Sequence, residues 1–144
     1  MGLDAGVFRN VTTMQKMLPG CEFNVDSHTG QAVAMRNDLE LPLSLDDYLA
    51  ADFRIGNISH VGYLRELFSS MLAPDSFIQK RVIYSGSHCG DIIELQELDE
   101  LRKDIEAINK HREVTIEWQI SEFLDAMVAL VAAAAKERNP IVFI

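Results

Sequence analysis

The reactive side chains that lie closest together in this sequence fall within one short segment, residues 84–91. In chain order they are Tyr84, Ser85, Gly86, Ser87, His88, Cys89, Gly90 and Asp91. A hydroxyl, an imidazole and a carboxylate are the components of a serine hydrolase, but such triads assemble from separated parts of a fold. A nucleophile elbow also places its serine midway between two glycines, whereas Ser87 directly follows Gly86. The spacing therefore does not predict a hydrolase.

Two other chemistries involve the same segment, an activated thiol and a metal site. The thiol of Cys89 would be activated if it met the imidazole of His88, but neighbours on an extended chain point to opposite sides. The candidate metal ligands show none of the usual spacings; they are His28, His60, His88, His111, Cys21 and Cys89. We predict no metal and no cofactor. A small enzyme or metal-binding protein that uses His88, Cys89 and Asp91 stays open as an alternative.

The two glycines of the segment have two readings. Gly86 and Gly90 can permit a tight turn with positive φ, or they can shape a loop that contacts a partner or ligand. No lysine follows in the pattern of a phosphate-binding loop. On the second reading the segment is a candidate partner-binding surface. Its residues are Ser85, Gly86, Ser87, His88, Cys89, Gly90 and Asp91.

The charge of the chain excludes one class of partner and favours another. The formal net charge is −9, and nucleic acids and anionic membranes require a basic face. Residues 91–125 alone carry 4 basic and 11 acidic groups, a net −7. This acidity is either a solvated helix surface or a face that docks a basic protein. Asp99, Glu100 and Asp104 are the candidate docking residues.

The first residues, the cysteines and the apolar runs of the chain bear on its cellular compartment. The first ten residues lack the basic and apolar regions of a signal peptide. The longest apolar run, residues 126–135, is too short to span a bilayer. We expect a cytoplasmic protein with no membrane partner. Cys21 and Cys89 are then expected to be free thiols, although a disulfide between them stays open.

In the first half of the chain, four elements are predicted. Residues 3–9 favour a strand, and residues 23–36 favour a hairpin whose five-residue loop spans 26–30. Ser44 begins a short helix, with Asp47 placed to complete a capping box. A longer helix begins at Asn57 and ends near Leu72, because apolar residues recur every three or four positions and Pro74 follows.

The second half predicts two strands and two helices. The β-branched and aromatic residues 81–85 favour a strand, residues 97–110 and 115–137 have helical periodicity, and residues 141–144 favour a buried terminal strand. This order is not a regular βαβ alternation. We predict a single α+β domain over residues 1–144, with a small mixed or antiparallel sheet packed against three main helices.

The last helix supports the most specific packing prediction. From Ala126 onward it has almost no polar side chains, so its second half is expected to be buried all round. Val128→Asp should then leave an unpaired charge in the core and cost several kcal/mol. Trp118, the single tryptophan, is expected to pack in the core or at its rim.

Parts of the chain resemble a known group of proteins. Residues 1–4 and 84–93, with the helix over 98–108, resemble small uncharacterised bacterial proteins, including predicted immunity proteins of polymorphic-toxin systems. The resemblance implies a cytoplasmic protein that binds and neutralises a cognate toxin. It also implies that the loop of residues 85–91 and the acidic face are the binding surfaces.

Three classes of function therefore remain. A non-enzymatic interaction protein, and specifically an immunity protein with a basic toxin as its partner, fits the size, the acidity and the lack of a catalytic pattern. The small enzyme or metal-binding protein is the first alternative. The second alternative is a homo-oligomer with a structural or regulatory role.

Overall fold

A computed structural model of the chain describes residues 2–112 and 118–144. Its strands are β1 (Gly2–Phe8), β2 (Glu22–Val25), β3 (Ala32–Arg36), β4 (Leu39–Glu40), β5 (Leu49–Asn57), β6 (Ile92–Ile93) and β7 (Ile141–Phe143). Its α-helices are α1 (Val11–Met17), α2 (Leu45–Tyr48), α3 (Ile58–Phe68), α4 (Leu98–Arg112) and α5 (Trp118–Glu137). A turn of π-helix covers Ile78–Val82, and a 3₁₀ turn covers Leu95–Glu97. The predicted α+β class is confirmed.

The main sheet has four strands in the order β5-β1-β7-β6, and all its pairs are antiparallel. Strand β1 lies inside this sheet, with Leu3, Ala5 and Val7 buried. The terminal strand β7 is buried at all three positions, as predicted. Strand β5 was not predicted, although its inward side chains Leu49, Ala51, Phe53 and Ile55 alternate with exposed ones in the period-2 pattern of an edge strand.

A second sheet contains the predicted hairpin. Its three strands have the order β2-β3-β4, and residues 26–31 connect β2 to β3. The carboxylate of Asp26 accepts hydrogen bonds from the backbone N–H groups of His28 and Thr29 at 2.7 and 2.9 Å. The amide of Asn139 donates to the carbonyl oxygen of Gly30 at 3.2 Å, which ties the loop to the end of α5.

Helix α1 was also not predicted; a local cap and a long-range contact both stabilise its start. The Asn10 side chain caps it by accepting a hydrogen bond from Thr13 N at 2.8 Å. The carboxylate of Glu137, which is only 5% exposed, accepts from Asn10 N at 2.9 Å and from the Thr13 hydroxyl at 3.0 Å. Glu137 ends α5, so a residue distant in sequence completes the cap.

Helix α3 confirms most of its prediction. Asn57 caps it through a 2.8 Å hydrogen bond from His60 N, and Val61, Leu64 and Phe68 are buried along one side. The helix ends at Phe68, four residues before the predicted Leu72. The capping box between Ser44 and Asp47 is also present at the start of α2.

The predicted strand over residues 81–85 is wrong. Residues Ile78–Val82 form one π-helical turn, closed by a 3.0 Å hydrogen bond from Ile83 N to Ile78 O. Ile78, Val82 and Ile83 are fully buried, so the turn places these β-branched side chains in the core. Burial therefore overrides their strand propensity.

Helix α5 corrects the prediction of a helix buried all round. Its inner side includes Phe123, Met127, Leu130 and Ala134 and is buried, but Val128 is 54% exposed. Trp118 is 64% exposed and does not pack in the core. The helix is long and apolar enough to cross a membrane by length and composition, a test that a core helix also passes. The predicted start at residues 115–117 lies outside the described residues.

Candidate functional site

An open groove lies between α3 and the segment that leads into the loop of residues 84–91. Its volume is about 810 Å³. Its walls carry mainly polar and aromatic side chains, among them Tyr63, Arg65, Glu66, Ser69, Gln79 and Tyr84. Tyr63 and Tyr84 are 40% and 42% exposed. The groove thus brings the predicted loop segment beside a helix that the sequence did not connect with it.

The loop reaches α3 through a close backbone approach. A Cβ on Gly86 would lie 2.7 Å from the Cα of Ile58, the first residue of α3. The φ of Gly86 is not positive, so glycine is required here because the backbone of Ile58 lies so close, and not because of its own backbone conformation. Gly90 does have a positive φ, of 97°, as the turn reading predicted.

The far end of the loop is attached to the main sheet. Gly90 N donates to Phe143 O at 2.7 Å, and Phe143 N donates to Asp91 O at 2.9 Å. Within the loop, the hydroxyl of Ser85 donates to Ser87 O at 3.1 Å. The loop is therefore held at both ends and by a bond within it.

His88 is a buried part of this loop. Its side chain is 4% exposed, and its Nε2 lies 2.8 Å from Val82 O. Because a carbonyl oxygen only accepts, Nε2 must carry the hydrogen. The ring stacks on Tyr84 at 4.6 Å between centroids and contacts Phe143 at 4.2 Å. The imidazole therefore supports the position of the Tyr84 ring.

Asp91 connects Tyr84 and His88. The Tyr84 hydroxyl donates a hydrogen bond to Asp91 Oδ2, and the same oxygen lies 3.3 Å from His88 Nδ1. That nitrogen makes no aligned hydrogen bond within the described residues. The hydrogen bond to Asp91, followed by burial and the carboxylate charge, raises the pKa of Tyr84 above its ordinary value.

Arg81 and Glu97 secure the chain just before and after the loop. Their side chains form an ion pair with two hydrogen bonds, and Arg81 also donates to Ile92 O at 2.9 Å. Burial raises the pKa of Glu97. The hydrogen bonds from Arg81 and Glu94 N lower that pKa by a larger amount, so it lies below its ordinary value. The hydrogen bond from Arg81 to Glu97 is also the main cause that raises the pKa of Arg81.

The three acidic candidates on α4 occupy different environments. Asp104 is half-buried and accepts a 2.8 Å hydrogen bond from Ile78 N at the start of the π-helical turn. Asp99 is exposed and pairs with Arg102 at 2.8 Å. Glu100 is exposed and has no ion pair within the described part of the chain. Asp104 therefore has a structural contact, whereas Asp99 and Glu100 face solvent.

The reactive groups of the loop are arranged to hold its shape. His88 presents one nitrogen to a carbonyl and the other to a carboxylate. Cys89 is an exposed free thiol, and Cys21 is a half-buried free thiol. Among the described residues, no three His, Cys, Asp or Glu side chains come together as a metal site. At the groove, the arrangement presents the Tyr84 ring to solvent.

Sequence reasoning missed the α3 side of the groove. Tyr63 and Arg65 occupy positions between the buried residues Val61, Leu64 and Phe68, so the helical period alone marked them as exposed. An aromatic residue on an exposed helix position was the available signal.

Comparison with known proteins finds no matching family model, no matching curated protein and no matching solved structure.

Proposed function

We propose that this chain is a non-enzymatic interaction protein of the cytoplasm, and specifically an immunity protein that binds and neutralises a basic bacterial toxin. The groove between α3 and Tyr84 is the proposed docking surface. The observation that supports this function most directly is the use of His88 and Asp91, which hold Tyr84 at the edge of the groove.

The contacts of His88 favour binding over catalysis. A general base needs a nitrogen within hydrogen-bond reach of a substrate. The imidazole is buried, its Nε2 is bonded to Val82 O, and its Nδ1 faces Asp91. These contacts fix the ring as a support for Tyr84.

The residues around the groove are of the types that dominate protein interfaces. Tyrosine and arginine are enriched among the residues that contribute most binding energy. Tyr63, Arg65 and Tyr84 all line this groove. Because the loop is attached at both ends, Tyr84 loses little conformational freedom when a partner binds.

The charge of the chain supports a basic partner. A net charge of −9 attracts a cationic protein over distances comparable to the Debye length and speeds association. Part of the acidity is used internally, since Glu97 pairs with Arg81 and Asp104 accepts from Ile78 N. The remaining exposed charge, Glu100 included, would assist encounter more than the final contact.

The proposal is tested by capturing the partner and then changing the groove. The tagged chain is used for capture from its host at low and high salt, and the basic protein recovered is expressed with each variant. Tyr63→Ala combined with Glu66→Lys, which places a repulsive charge on the groove wall, should weaken binding at least about tenfold, the effect of losing one strong contact. Cells that express this variant should no longer be protected from the growth arrest that the captured protein causes.

The control is Glu22→Lys, which makes the same charge reversal on an exposed residue of the hairpin. This variant should bind and protect like the wild type. If both variants bind alike, the groove is not the docking surface. If the captured protein causes no growth arrest, the immunity function is wrong even where binding is real.

A further inference from the structure

We infer that the outer face of α5 is a two-fold interface between two copies of this chain. This outer face is the exposed stripe Trp118, Glu122, Asp125, Val128, Ala132 and Lys136. The steps of three and four residues place all six on one side of the helix. Trp118 and Val128 are 64% and 54% exposed, so the stripe combines two large apolar side chains with three charged ones.

The charges along this face complement themselves in an antiparallel pair. Glu122 and Asp125 lie in the first half of the helix, and Lys136 lies in its last turn. Glu122 and Lys136 are separated by about 21 Å along the axis, with Ala129 midway between them. A two-fold axis at Ala129 brings each Glu122 to the partner's Lys136, because an isologous interface pairs each residue with its counterpart in both directions.

The centre of the face allows close contact. Ala129 and Ala132 are small, so two helices can approach at the short end of the usual 8–10 Å interaxial distance. Val128 stands at the edge of a groove of about 520 Å³ between α4 and α5, where Ile105, Leu124 and Val131 also line the wall. This groove is placed to receive the partner's Val128, which lies one residue from the axis.

The size of the face sets the expected strength. A helix of 20 residues is about 30 Å long. With the flank of α4, the face covers on the order of 500 Å² per copy, below the roughly 800 Å² of a standard stable interface. The dimer should therefore be weak and depend on protein concentration.

The test uses sedimentation of the full chain over a range of concentrations. Glu122→Lys and Lys136→Glu should each weaken the wild-type dimer by about tenfold, since each replaces two attractive pairs with repulsive ones. An equal mixture of the two variants should associate again. In that mixed dimer, one chain has lysine at both positions and the other has glutamate at both, so every cross-pair is attractive.

Val128→Asp should also abolish the dimer, because it places two carboxylates next to the axis. The matched control is Val25→Asp on the hairpin, where the valine is 49% exposed; it should dimerise like the wild type. A wild-type chain that stays monomeric, or a mixture that fails to associate, overturns the inference. Monomers that instead bind phosphatidylcholine vesicles through Trp118 also overturn it.

Discussion

The imidazole Nε2 of His88 lies 2.8 Å from the carbonyl oxygen of Val82 and must donate to it. This hydrogen bond closes the chain on itself over six residues and joins the loop to the end of the π-helical turn. The same ring contacts both Tyr84 and Phe143. One buried side chain thus connects the groove, the turn and the last strand of the sheet.

Replacing this ring should destabilise the protein. His88→Ala removes the bond to a buried carbonyl group and leaves a cavity between two rings, which together cost about 2–4 kcal/mol in the free energy of unfolding. Urea denaturation measures the change. His111→Ala, at an exposed position of α4, should change the same free energy by less than about 0.5 kcal/mol. Equal effects of the two substitutions would contradict the structural role of His88.

Tyr84 should make stability depend on alkaline pH. Its hydrogen bond to Asp91 raises its pKa above the ordinary value of 10.0, so the folded chain holds the phenolic proton more tightly than the unfolded chain does. This contribution is fully present below the unfolded pKa and is lost as pH rises through the folded pKa. Between about pH 9 and 11, the unfolding free energy of Tyr84→Phe should fall less steeply than that of the wild type. Parallel curves would contradict the prediction.

Gly86 in the loop and Gly62 in α3 form a matched pair. A methyl group at Gly86 would meet the backbone of Ile58 at 2.7 Å, whereas one at Gly62 meets nothing within 4 Å. Gly86→Ala should cost about 1–3 kcal/mol, and Gly62→Ala inside α3 should stabilise by about 0.5–1 kcal/mol. Thermal unfolding of both variants decides the point. A Gly86→Ala protein that melts at or above the wild-type temperature would show that the loop does not approach α3 so closely.

Asp104 and Glu100 separate a structural carboxylate from a solvent-facing one. Asp104→Ala leaves the N–H of Ile78 without its 2.8 Å acceptor and should cost about 1–3 kcal/mol. Glu100→Ala should stay within about 0.5 kcal/mol of the wild type. Chemical denaturation gives both values. If Glu100→Ala costs more stability than Asp104→Ala, then α4 does not contact the π-helical turn through Asp104.

The exposure of Val128 reverses the expectation for a charge at this position. Val128→Asp should change the stability of the monomer by less than about 1 kcal/mol, because its side chain is 54% exposed. Leu130→Asp, two residues on at a position that is 0% exposed, should prevent folding or cost at least about 4 kcal/mol. Unfolding at low protein concentration keeps self-association out of the comparison.

Elements with strong local signals could be predicted from the sequence. Caps at Ser44 and Asn57, the turn residues of the hairpin, and the 3.6-residue period of α3 and α4 all act within a few residues. Strand β7 was predicted because an apolar terminus is costly in water. Strand β5 and helix α1 also have local signals, which were missed: Leu49, Ala51, Phe53 and Ile55 alternate along β5, and Asn10 caps α1. Only the contact of Glu137 with the start of α1 depends on the fold.

The candidate site, like the fold, could be predicted only in part from the sequence. Residue types alone marked the segment of residues 84–91. The turn reading allowed a positive φ at both Gly86 and Gly90, and only Gly90 has one. The groove could not be predicted, because Tyr63 and Tyr84 are 21 positions apart and only the fold brings α3 and the loop together. His88 is a support and not an exposed ligand because Phe143, from the last strand, covers its ring.

The sequence by itself determined the α+β class, most helices and the segment where polar groups gather, because backbone propensity and side-chain period are local properties. Tertiary structure alone decided that residues 78–82 form a π-helical turn and that α5 leaves Trp118 and Val128 exposed. Burial depends on what packs against each side of an element, and hydrophobicity along the chain does not record which side is covered.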